Sequence, residues 1–255
     1  MSEKPGSQQP PDGNVEVAAR ELIRLVESHL PQRCYPSEGR WRMICAAIVV
    51  RMADTLESIL ALMEAGLAVD GLTLIRALYE ATVKFMWLAI DPEANLSAWL
   101  KDADAAARKH HDETLDYGME LLTPEQRAAV QNAKSLPPLT ELAAAVDKHW
   151  EGAMLGFHEP ETGEQKLLTM RGLYTMIYRT TSLTTHLQPD SLEPYIVDHT
   201  ATPRVVQRAP RGEPSLFWTV AVSLYSHALI VCNDQLNWPN GDRVRAINDA
   251  MYAES

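Results

Sequence analysis

Apolar residues recur three, four or seven apart along most of the chain, while strict alternation is rare, so the dominant period is that of the α-helix. From about Trp41 to Gly66 the residues Trp41, Ile44, Ile48, Met52, Ile59, Met63 and Leu67 form one stripe, and Arg42, Arg51, Asp54, Glu57 and Glu64 lie mostly opposite it. This is the pattern of an amphipathic helix. An earlier helix is expected from Asn14, an N-cap residue, to about Leu30, where Pro31 stops it. A third is expected from Asp70 to near Asp91, with Pro92 starting a new one. Its two apolar stripes, one through Leu72, Ile75, Tyr79 and Val83 and one through Leu74, Leu78, Ala81 and Phe85, predict burial nearly all round. Only a line of Thr73, Arg76, Glu80 and Lys84 stays polar.

Downstream, a charged helix is predicted from Pro92 to about Leu122, a short helix capped by Thr123 reaches about Ala133, and another spans Thr140 to Trp150. Residues 152–166, broken by glycines and a proline, read as a surface loop. A helix from about Leu167 to Leu187 ends at Pro189, and long apolar and short amphipathic helices follow at Ser215–Leu236 and Asp242–Tyr252. Between them, YIVDH and RVVQR alternate enough to predict a small β-hairpin near 195–208. The expected fold class is all-α, a bundle of about seven to nine helices with those near 70–91, 167–187 and 215–236 in its middle. Residues 1–13, polar and rich in proline and glycine, are expected to be a disordered tail on a single all-helical domain over 14–255.

With 255 residues, 46% of them hydrophobic, the chain can bury a sizeable core. A net charge of -11 opposes general attraction to nucleic acid or an anionic membrane, so any polyanion site must be local. Arg204, Arg208 and Arg211 supply one candidate, a basic flap on an acidic protein. Every strongly apolar run is interrupted by charge or histidine, which argues against a membrane span. Cys34, Cys45 and Cys232 are odd in number and far apart, predicting reduced thiols and a cytoplasmic protein.

Charges on helices this apolar are costly unless paired or wet. Arg76 and Glu80 stand at i and i+4, the spacing of an intrahelical ion pair, and Glu80 could also orient a partner from a neighbouring helix. Arg179, Ser182 and His186 share a face: residues seven apart point within about 20 degrees of each other, about 10 Å apart along the axis. An arginine can clamp a phosphate while an imidazole moves a proton, which suits metal-independent cleavage of RNA by the adjacent ribose hydroxyl. His227 lies on a third thin polar line with Thr219 and Ser223, so the three lines could meet in one seam. The alternative is a satisfied network that holds helices in register. The run Lys109-His110-His111-Asp112-Glu113 radiates around its helix and reads as a solvated face, not a metal site. There is no Gly-rich phosphate loop, no His-Glu-x-x-His helix and no nucleophile elbow, so no cofactor or metal is expected.

Two segments, Asp70 to Arg76 and Glu80, and Tyr178-Arg179-x-x-Ser182-x-x-x-His186 followed by Pro189, resemble a bacterial family of all-helical proteins of unknown function over roughly residues 40–237. That resemblance implies a helical fold and no settled activity. The spacing of Arg179 and His186 also resembles that of the HEPN superfamily, whose ribonuclease members carry an Arg and a His on one helix and usually act as dimers. Thr180 stands where those ribonucleases usually place Asn, Asp or His. This likeness implies an RNA or nucleotide-like anion as partner, a homodimer, Arg179 as phosphate clamp and His186 as general acid or base, with Glu80 beside them. Arg76, Ser182, His227 and the flap arginines Arg204, Arg208 and Arg211 would then bind substrate. The rival is a non-catalytic binding or interaction module whose Arg/Glu/His network is structural, and a third reading is a small-molecule pocket closed by the flap.

Overall fold

The structure, a computed structural model, describes residues 12–29, 39–150, 155–158, 165–185 and 215–252. Expectations for residues 1–11, for Cys34, for a hairpin near 195–208 and for the arginine flap lie outside these residues. Nine helices are described: α1 (Asp12–His29), α2 (Arg40–Glu64), α3 (Ala68–Ile90), α4 (Pro92–Leu115), α5 (Pro124–Val130), α6 (Leu139–His149), α7 (Met170–Thr185), α8 (Ser215–Leu236) and α9 (Gly241–Tyr252). The fold class is all-α, as the periodicity predicted.

A short antiparallel hairpin, β1 (Leu155–His158) with β2 (Gln165–Leu168), pairs Leu155 with Leu168 and His158 with Gln165. It replaces the loop expected over 152–166 and shortens the following helix, which begins at Met170 instead of Leu167.

Local sequence sets the helix ends. Asp91 caps α4, its side chain accepting from Ala94 N at 3.1 Å with Pro92 in the first turn. Asp70, expected as the cap of α3, lies inside that helix's first turn, where its charge still complements the helix dipole. Thr123 and Gln126 form a reciprocal capping box at α5. Helix α4 stops at Leu115, seven residues before the expected end, because the chain turns at Gly118, whose φ of +72° is easily adopted only by glycine.

Helix α3 is the hub, packing on α2 and α8 and also on α6, α7 and α4. Tyr79, Phe85, Leu78 and Met86 of α3 interlock in the core with Met52, Leu56 and Ile59 of α2 and Leu224, Tyr225 and Leu229 of α8. Each such side chain contributes about 1.5–3 kcal/mol when fully buried. Among the described residues α7 sends the fully buried Met170, Leu173 and Ile177 into the core and packs on α3, α6 and β2 but not on α8. The reason is geometric: α8 and α6 occupy different sides of α3, and α7 lies with α6. Cys45 and Cys232 are buried free thiols with their Sγ atoms 4.0 Å apart. No helix among the described residues is long and apolar enough to cross a membrane.

Candidate functional site

The polar line of α3 meets α7. Arg76 Nε donates to Glu80 Oε1 at 3.3 Å, the intrahelical pair that the spacing predicts. Glu80 Oε1 also accepts a 2.7 Å hydrogen bond from the Tyr178 hydroxyl, so its inter-helix partner among the described residues is a tyrosine. The Arg76 guanidinium lies 3.8 Å from the centroid of the Tyr178 ring, and Tyr174 stacks on the same ring at 4.5 Å and 22°. Two groups this close cannot share one face, so Tyr178 is sandwiched between cation and arene. Its ring is therefore occupied on both faces and its hydroxyl is spent on Glu80.

The seam is half-buried, with the Arg76 and Glu80 side chains 23% and 31% exposed, which places it between a sealed ion pair and a solvated surface pair. Burial pulls the Arg76 guanidinium down, but its interactions with Tyr178 and Glu80 outweigh this and the net shift is upward. Burial, reinforced by the adjacent Glu80 carboxylate, raises the Tyr178 phenol above its usual value. Both shifts hold the ordinary protonation states in place.

Two contacts anchor the start of α7 beneath this cluster. Asp147 of α6 accepts from Met170 N at 2.6 Å and from Arg171 N at 3.0 Å, capping the helix from a neighbouring element. The fully buried Tyr79 donates to Met170 O at 2.7 Å, and burial raises its phenol strongly. Tyr174, Tyr178, Asp147 and Tyr79 went unassigned in the sequence. The i, i+4 spacing of the two tyrosines was the available signal; nothing local marks Asp147 as a cap for a helix more than twenty residues away.

Arg179 and Ser182 stand on α7, three apart in one unbroken helix, with their side chains outside the described residues. His186 and the flap arginines Arg204, Arg208 and Arg211 also lie outside them. His227 does not join the seam: its Nδ1–H donates to Ser223 O of its own helix at 2.8 Å, and burial lowers the imidazole below its usual value. Among the described residues α7 and α8 do not touch, and α3 meets α7 through Tyr178.

The run at 109–113 needs a correction as well. Lys109, His110, Asp112 and Glu113 are exposed as expected, but His111 is only 2% exposed. Its Nδ1 accepts from both Leu121 N and Leu122 N at 3.1 Å, so the chain returning from α4 folds over the ring. Among the described residues no group of three or more His, Cys, Asp or Glu side chains is arranged to hold a metal ion.

No match was found among curated proteins or among solved structures. A family model described as a family of unknown function, DUF5677, matches residues 42–203, a stretch that runs from the first turn of α2 and contains Arg76, Glu80, Tyr174 and Tyr178. The match covers more than half of the chain, which therefore belongs to this family of unknown function.

Proposed function

We propose that the protein is a non-catalytic binding module in which the α3/α7 seam is a structural latch. One observation carries this reading: every polar group of Tyr178 and both of its ring faces are engaged by Glu80, Arg76 and Tyr174. A base could not stack on that ring without dismantling the contacts that dock α7 on α3. Glu80 Oε1 is likewise committed to the seam, accepting from both Arg76 and Tyr178.

The second reading, a HEPN-like metal-independent ribonuclease or nucleotide-binding protein acting as a homodimer in bacterial stress or phage defence, is favoured by the unbroken course of α7 through Arg179 and Ser182. Positions three apart share a face, and the latch fixes the register of the helix that carries them. In this reading Arg179 holds phosphate, His186 moves the proton and the flap arginines bind RNA.

The decisive assay is incubation of bacterial RNA with wild type, Arg179→Ala and His186→Ala in a chelator, with folding checked by circular dichroism. The latch reading expects no cleavage by any of the three. Cleavage by wild type that falls by about a hundredfold or more in both folded variants would establish the ribonuclease instead.

A further inference from the structure

Helices α4 and α5 and the chain joining them enclose an open cleft of about 550 Å³ that shares no residue with the seam. Its floor is His111. Because Nδ1 accepts from two backbone N–H groups, the ring proton sits on Nε2. Nε2 makes no hydrogen bond among the described residues and is not sealed from the cleft that the ring lines, so a nearly wholly buried histidine offers one free donor there.

The charges around this donor determine what that something is. Arg127 and Asp112 face each other at 3.6 Å and neutralise one another. Arg108 gives one N–H to Gln131 O, leaving further guanidinium donors, and Glu120 has no partner among the described residues. One uncommitted cation and one uncommitted anion therefore remain, together with the His111 donor. The rest of the wall is apolar, through Leu115, Leu122, Pro124 and Ala128.

We infer that this cleft binds a small zwitterion of the α-amino-acid class with an apolar side chain. Its carboxylate is taken by Arg108 and His111 Nε2–H, its ammonium by Glu120, and its side chain by the apolar wall. A simple anion would face the uncommitted Glu120, and a simple cation the uncommitted Arg108; only a ligand with both charges is complementary to both. The volume lies within the range of small-molecule sites and leaves room for an aromatic side chain or a dipeptide. This inference stands whether the seam is a latch or a catalytic centre.

The test is calorimetric titration of the full chain with phenylalanine, with 3-phenylpropionate, which lacks the amine, and with phenethylamine, which lacks the carboxylate. Phenylalanine is expected to bind at least about tenfold tighter than either analogue, and Arg108→Gln and Glu120→Gln to weaken it by about tenfold or more each. Both substitutions are on the cleft rim, and circular dichroism checks that the fold is kept. No binding of phenylalanine, leucine or a dipeptide of the two up to about 10 mM would overturn the inference. So would equal affinity for 3-phenylpropionate, or unchanged affinity in both variants.

Discussion

Replacing Tyr178 with Phe removes one hydroxyl and keeps the ring between Arg76 and Tyr174, so it isolates the hydrogen bond to Glu80. A hydrogen bond to a charged group contributes about 1.5–3 kcal/mol, and 31% exposure of the Glu80 side chain brings this one down to or just below that range, about 1–1.5 kcal/mol. Glu80→Ala removes the same bond and also the i, i+4 pair with Arg76, worth about 0.3–0.5 kcal/mol, for a total of about 1.3–2 kcal/mol. In a Glu80→Ala background the hydroxyl has no carboxylate to lose, so Tyr178→Phe should then cost almost nothing. The coupling between the two positions is therefore expected at about 1–1.5 kcal/mol. Urea unfolding followed by circular dichroism, with a common slope for the four proteins, reads it directly. Coupling under about 0.3 kcal/mol would refute the latch, because the two side chains would then be acting independently. A cost for Glu80→Ala above about 4 kcal/mol would refute it differently, since stranding a charge on that scale belongs to a sealed ion pair.

Asp147→Ala should cost about 1–2 kcal/mol by leaving Met170 N and Arg171 N uncapped, and should raise hydrogen-exchange rates at the start of α7 before those in α8. The imidazole of His227 is lowered from 6.5 by burial, so its contribution to stability is present above that value and is lost as pH falls through the lower folded value; His227→Gln should flatten the acid limb of a melting-temperature profile. The raised phenols of Tyr79, Tyr178 and Tyr225 act with the opposite sign, giving stability that is complete below their unfolded value of 10.0 and lost as pH rises beyond it, visible as early alkaline unfolding. Cys45 and Cys232 should resist thiol reagents in the native protein and react fully in denaturant, since both are completely buried.

The parts of the fold that were legible are those in which one helix reports on itself. Helix α3 declared its burial through two apolar stripes and its polar line through Arg76 and Glu80, and the pair forms as the spacing requires. Helix α8 was read with both ends in place because it is apolar apart from one thin polar line and Pro214 precedes it. The errors sit where a second segment decides. His111 looks solvated when only α4 is considered, yet the chain returning past Gly118 donates two backbone hydrogens to it. Gly118 was itself a local stop signal, and running the helix through it to Leu122 concealed both the turn and the cleft.

The seam follows the same division. Spacing identifies which residues of α3 and of α7 share a line, but not which lines meet, because that depends on how helices distribute around the hub. Three sparse polar lines on three apolar helices invited a single shared site, whereas α6 brings α7 to a different side of α3 from α8, so His227 is left to its own helix. The residue that joins α3 to α7 is Tyr178, which a hydrophobicity pattern counts as apolar and a search for acids, bases and cations passes over. An amphipathic ring with one polar tip can complete a charged network while still filling the helix interface, and that dual use is what makes it invisible to a reading that sorts residues into two classes. A half-buried Arg/Glu pair with a tyrosine across the interface accounts for how α7 is held on α3, and the test of catalysis lies with Arg179 and His186.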